Sequence, residues 1–232
     1  MMLPAFTRYW TRFWMHYSSL CFFGRIATRL ATWFFPPYYG RCPLAKLNRR
    51  GYISPKAIIN HSGLILGKNV FLGDGVIIYD HIDGGQVMLD DRVHLYGDTY
   101  IQTGRGGSIK IGRDTHIQPR CQFSAYLASI KVGSNVQIAP GCAFYPYDHG
   151  VMPGDLICNQ PLTSKGDIEI GDDVWLGYGI IILSGVNIGK GAVIGAGSIV
   201  TRSIPEGAIA AGVPARVLKL RSDLRINNKE AY

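Results

Sequence analysis

The period of six constrains this chain more than any other feature. Ile170, Leu176, Ile182, Ile188, Ile194 and Val200 follow at six-residue intervals without a gap, and four positions after each stands Val174, Ile180, Val186, Ala192, Ser198 or Ile204. Six matches neither the helical repeat of 3.6 nor the strand repeat of 2. It fits a chain that turns a corner every six residues. Three hexads then close one triangular coil. The aliphatic at the first position and the small or branched residue at the fifth point into the prism. Glycine at the second position, as in Gly67, Gly73, Gly112, Gly133, Gly171, Gly177, Gly189 and Gly195, relieves backbone crowding at the turn. Stacked coils join through parallel hydrogen bonds and bury a continuous apolar column.

The same motif begins at residues 66, 89, 111, 132, 170 and 188, with spacings of 23, 22, 21, 38 and 18. The spacing of 18 is one bare coil. Those of 21 to 23 are a coil plus a few residues inserted at a corner, and that of 38 is a coil plus a long excursion, near residues 150–167. The excursion follows YPYDHG directly. One long loop breaking an otherwise trim repeat marks a candidate site.

Glycine and charge divide the chain differently. Of 29 glycines, 26 follow residue 60, whereas 14 of 26 aromatics precede it. An apolar content of 47% with 17% charged residues excludes a disordered chain, and the glycines do not recur every third residue, which excludes collagen. The net charge of +8 resolves into ten basic residues and no acidic one before Asp74, followed by a remainder of net −2. The protein is a near-neutral body with a basic, aromatic front end.

The front end reads as one or two helices ending near Pro36-Pro37. Phe6, Trp10, Phe13, Trp14 and Tyr17 hold i, i+3, i+4, i+7 spacing, and Arg8 and Arg12, like Arg25 and Arg29, stand four apart. The longest charge-free runs have 12 and 11 residues, against the roughly 20 that a membrane span needs. The arginines also interrupt any signal-peptide core, and no small-residue cleavage site follows. Two readings stay open. Residues 1–40 form interfacial helices, whose rings sink into an anionic membrane while the guanidiniums meet phosphates, or they form a helical cap on the main domain or on a partner subunit. Nucleic acid is not expected, because the aromatics read as a buried stripe rather than as base-stacking platforms. The organisation expected is a helical segment over 1–50, a repeat domain over 51–205 and a C-terminal segment over 206–232.

At this point the residues carry a resemblance. The hexads together with the ordered series DHG, NQPLTSKGDI, IGDDVWLG, IGAGSIVT and GVPARVLK resemble the hexapeptide-repeat acyltransferases, over roughly residues 53–219 and most densely over 144–219. The resemblance implies an all-β solenoid, a left-handed parallel β-helix, usually assembled as a homotrimer. Within that family the series is similar to the O-acetyltransferases that modify sugars, including those decorating capsule, exopolysaccharide or lipopolysaccharide. The expected reaction is acetyl transfer from acetyl-CoA to a sugar hydroxyl, with no metal required.

Such a transfer needs a base for the hydroxyl proton, and histidine titrates near working pH. His149 opens the excursion and matches the family's catalytic position, first as base and then as proton donor to the departing thiolate. Asp148 is expected beside it, orienting the imidazole or contacting substrate. Trp175, at the sixth position of its hexad, reads as outward-facing, toward the cofactor or a neighbouring subunit, and the resemblance sets it at the acyl-CoA site. Ala196, Thr201 and Arg202 match positions lining the CoA channel, and Arg216 and Lys219 match basic positions near the CoA phosphates. Two departures bear on the acceptor. Tyr178 stands where those sugar enzymes carry a serine, and Gln118-Pro119 falls where they carry an asparagine.

The competing readings are an N-acetyltransferase acting on an amino sugar, a membrane-associated scaffold without activity, and a zinc hydratase on the same fold, which needs three convergent histidines, two of them close in sequence, whereas His94, His116 and His149 offer no HxxxxH pair. The five cysteines show no paired spacing. Cys121 and Cys142 fall at fifth hexad positions, as small core residues in a reducing cytoplasm. The expected location is therefore cytoplasmic, with peripheral membrane contact at the inner face as the first reading of residues 1–40.

Overall fold

The computed structural model describes residues 5–224; the outermost residues of the front segment and of the C-terminal tail, 1–4 and 225–232, lie outside the described residues. Short strands of two to four residues stack into three parallel sheets, the faces of a triangular prism. The first face runs through Phe71–Leu72, His94–Leu95, His116–Ile117, Gln137–Ile138, Trp175–Leu176 and Val193–Ile194. The second includes Tyr100–Thr103, Gln122–Ala125, Ala143–Tyr145 and Ile181–Leu183, and the third Ile109–Ile111, Ile130–Val132 and Ile168–Ile170. The first face closes with Ala208–Gly212, parallel to its neighbour, and Ala215–Leu220 folds back antiparallel along it.

Every first and fifth hexad position of the final coils is buried, from Ile170 and Val174 to Val200 and Ile204, as the period of six requires. Equivalent residues lie in register from coil to coil, such as Ile117, Ile138, Leu176 and Ile194. The phenyl rings of Phe123 and Phe144 stack with centroids 4.2 Å apart and planes 9° from parallel. Full burial of one such side chain stabilises by roughly 1.5–3 kcal/mol, so the column is the main source of stability. Cys121 and Cys142 are fully buried within it.

The second-position glycines are required by close approach between coils. A Cβ on Gly133 would stand 2.7 Å from the carbonyl carbon of Gly171 and the amide of Asp172 on the next coil. The left-handed backbone of the same corner belongs to the fourth position, where Asp114, Asn135 and Asp173 have φ near 58°. Aspartate and asparagine tolerate that region best among residues with a side chain. The inserted residues share one corner, between the second and third faces: they lie between Asp80 and Val87, between Thr103 and Ile109, and between Ala125 and Ile130. The long excursion leaves from the same corner, after Tyr145, and the coil resumes at Ile168.

The front end forms helix α1 (Ala5–His16), helix α2 (Phe22–Ala31) and a 3-10 segment over Tyr38–Leu47. It packs on the first face through Met15, Ala31, Leu44, Ala45, Tyr52, Phe71 and Tyr96. Arg41 pairs with Asp74 at 3.0 Å across this junction. One expectation is overturned here. The aromatic stripe of α1 is not the buried one. Thr7, Thr11 and Met15 face inward, while Phe6, Phe13 and Tyr17 are exposed and Trp10 and Trp14 are half-buried at the flank. Small inward residues let the two helices approach closely, and the Trp10 indole donates to the Leu30 carbonyl at 2.8 Å. The ground on which nucleic acid was set aside, burial of these rings, therefore fails.

Candidate active site

The excursion is a built loop rather than a loose one. Asp148–His149 pairs antiparallel with Leu162–Thr163, and the Ser164 hydroxyl donates to the Pro146 carbonyl at 2.6 Å. Gln160 pins the tip, accepting from the Met152 amide at 2.8 Å and donating to the Met152 and Asp155 carbonyls at 2.9 and 3.0 Å. This holds His149 at the prism edge between the second and third faces, with its ring exposed. Among the described residues its side chain makes no hydrogen bond. Asp148 turns elsewhere and accepts from the Ser184 hydroxyl at 3.1 Å. Thr201 and Arg202 follow the strand Ile199–Val200 at the same edge, both exposed.

The other expected residues lie on a different edge. Trp175 projects from the first face and is 55% exposed. Tyr178 and Ala196 follow on successive coils at the corner between the first and second faces, where the Gly197 amide donates to the Tyr178 carbonyl at 2.7 Å. Arg216 and Lys219 sit exposed on the returning strand of the first face. From Tyr178 to Ser184 the chain crosses the second face in six residues of near-extended backbone, roughly 15–20 Å. The expected residues thus fall into two groups on neighbouring edges, with His149, Asp148, Thr201 and Arg202 in one and Trp175, Ala196, Arg216 and Lys219 in the other.

Two further features are not legible from the period, because it constrains inward positions and says little about what the outward ones meet. The first is a groove of about 310 Å3 beside Trp175, lined by Tyr39, Gln118, Gln137 and Pro140. The Tyr39 hydroxyl donates to the Gln118 side-chain oxygen, so the front segment reaches the groove beside Trp175. The second is a wall of phenols and amides on the outer second face, below the His149 loop. Tyr100 donates to Gln102 at 3.1 Å, Tyr145 donates to Gln122 at 2.7 Å, and Tyr147 lies 3.3 Å from the Ser124 hydroxyl. Burial, followed by the neighbouring phenols, raises the Tyr100 and Tyr145 hydroxyls above their ordinary range, which keeps them protonated donors.

His94 and His116 do meet, with ring centroids 4.4 Å apart on successive coils of the first face. His149 stands on another edge, so the three histidines do not converge within one chain. Among the described residues no cluster of three or more His, Cys, Asp or Glu suits a metal ion.

The final coils match a family model described as bacterial transferase hexapeptide (six repeats), over residues 167–202. A 2,3,4,5-tetrahydropyridine-2,6-dicarboxylate N-acetyltransferase of Staphylococcus aureus is 46% identical over 67 residues, which is 29% of this chain and 28% of the relative. Among solved structures, the polySia-specific acetyltransferase NeuO superposes with a TM-score of 0.57 at 23% identity, covering 76% of this chain and 91% of that one. A mutant of the N-acyltransferase AntD from Bacillus cereus, in complex with dTDP-4-amino-4,6-dideoxyglucose and coenzyme A, superposes with a TM-score of 0.51 at 22% identity, covering 79% and 90%. At these identities the two superpositions speak for the fold. The chain thus folds as a left-handed parallel β-helix, and its coils over 167–202 match the hexapeptide repeat described for bacterial transferases.

Proposed function

We propose that the protein is an acetyl-CoA-dependent acetyltransferase that modifies a sugar hydroxyl in the making of a surface polysaccharide, working as a homotrimer. The observation that carries this reading is the pair of residue groups on neighbouring edges, each read as a half-site. Three copies around an axis would bring the His149 edge of one against the Trp175 edge of the next. The loop tip supports a neighbour there, since Val151, Met152 and Leu156 are all strongly exposed apolar residues. Acetyl-CoA suits the second half-site, where the Trp175 indole offers an apolar plate for the thioester arm and the exposed Arg216 and Lys219 offer cations for phosphates.

In this scheme His149 accepts the proton of the acceptor hydroxyl as its oxygen bonds to the acetyl carbon. The carbon–sulfur bond breaks and the thiolate takes a proton from the imidazolium, which returns His149 to its starting state. The acceptor would lie along the tyrosine–glutamine wall, whose flat phenols and paired amides suit stacking and hydrogen bonding with a saccharide. Thr201 and Arg202, on the His149 edge, would line the cofactor channel further along the prism. Five unpaired cysteines agree with a cytoplasmic setting. Transfer to an amino sugar is the second reading, favoured by the N-acetyltransferase relative that shares the final coils.

The test is acetyl transfer by the purified protein to hydroxyl and amino saccharides, with His149→Ala alongside. The variant should lose at least ~10²-fold in kcat/KM. Turnover close to wild type would remove His149 from the mechanism, and a product acetylated on nitrogen alone would select the second reading.

A further inference from the structure

We propose that the outward face of helices α1 and α2 is a docking surface for an anionic lipid bilayer, on which the protein rests without crossing it. The observation is an inversion of both helices. In α1 the inward residues Thr7, Thr11 and Met15 recur every four positions, and Phe6, Tyr9 and Phe13 lie opposite them, pointing away from the body. In α2 the inward residues are Gly24, Ala27, Thr28 and Ala31, and Phe22, Phe23 and Ile26 face out. Phe22 and Phe23 are 73% and 78% exposed. An ordinary surface helix buries its large apolar side chains and exposes its threonines. A pair of helices that does the reverse leaves an apolar patch with no partner among the described residues.

Charge selects the occupant. Arg8, Arg12 and Arg29 are exposed on these helices, and among the described residues none of them forms an ion pair. No carboxylate precedes Asp74 in the chain, and Asp74 is already held by Arg41 and Lys56. The helices therefore present exposed rings and exposed arginines, with no carboxylate of their own. A second copy of the same face would set arginine against arginine. A bilayer with anionic headgroups satisfies both halves at once, taking the rings at the acyl boundary and the guanidiniums at the phosphates. No described helix is long and apolar enough to span a membrane, which fits a surface-lying element. The inward residues of the helices are already packed, so docking needs no rearrangement of the prism.

The test is flotation of the full chain with vesicles of phosphatidylcholine alone and of phosphatidylcholine mixed with phosphatidylglycerol. The protein should float with the mixed vesicles at low salt and far more weakly with phosphatidylcholine. Replacing Arg8→Gln and Arg12→Gln together should weaken that binding about 10- to 30-fold. The pair Phe22→Ser and Phe23→Ser should weaken it at least as much. All four side chains are exposed, so both variants should melt with the wild type. Failure of the wild type to float with mixed vesicles would overturn the proposal, as would variants that float equally well. Variants that change the protein's size in solution but not its flotation would assign the face to a protein partner instead. Acyl transfer is not read in this assay, so its outcome is separate from that of the proposed reaction.

Discussion

Acidification should loosen this protein through one pair of rings. His94 and His116 stack on adjacent coils, and the Nδ1 atom of His94 is buried without a partner. Burial, then the charges of His116 and Lys46, pushes His94 down to about 4 from 6.5, with Asp114 opposing. Burial also lowers His116, again against Asp114. A histidine whose folded-state pKa lies below its unfolded value binds its proton more readily when unfolded. Its contribution is therefore complete above about pH 6.5 and is lost as the pH falls toward about 4. The shift corresponds to about 3 kcal/mol at most, and to about 1–2 kcal/mol once water around the partly exposed ring is counted. The clean perturbation is His94→Phe, which keeps an aromatic ring between Phe71 and Tyr96 but cannot be protonated. Urea midpoints of wild type and variant, measured from about pH 7 down to about pH 4.5, give the contribution of His94 and its coupling to His116, because titrating groups outside the pair cancel. Wild type should lose about 1–2 kcal/mol more than the variant over that range. Parallel curves would refute the argument and would mean that the pair is solvated enough to charge without cost.

Three further outcomes are expected. Phe144→Ala removes a fully buried ring from the stack with Phe123 and should cost about 3–5 kcal/mol in urea unfolding; a cost below ~1 kcal/mol would mean the column collapses around the gap. Trp175→Ala should raise KM for acetyl-CoA with little change in kcat, and a fall in kcat alone would move the indole from binding to chemistry. Tyr145→Phe deletes the donor to Gln122 and should raise KM for the saccharide acceptor only, so a matching rise for acetyl-CoA would reassign the wall.

The coils were legible because their pattern is local. Each first and fifth hexad position meets the same environment, the prism interior, so one spacing rule describes Ile170 and Val200 alike. Trp175 could be read as outward for the same reason, and the long loop stood out as the largest break in the spacing. The groove beside Trp175 was not legible, because Tyr39 and Gln118 are 79 residues apart and meet only when the front segment folds back. The tyrosine wall was missed for a related reason. Its members occupy outward positions, where a repeat tolerates almost any residue and a pattern carries little information.

The front end separates the two sources most clearly. Its composition and spacing establish that helices form there, that they cannot span a bilayer and that they carry positive charge, since these follow from propensity, length and formal charge. Which side of each helix faces the body was decided only by the tertiary structure. The first face of the prism and the close α1–α2 contact admit Thr7, Thr11 and Ala27 but not Phe or Trp, and Ser19 in the turn between the helices closes on Gly24, so the large rings are turned out. Likewise the period of six determines that a prism forms, whereas the assignment of His149 and Trp175 to separate edges comes from the closing of each coil in three dimensions.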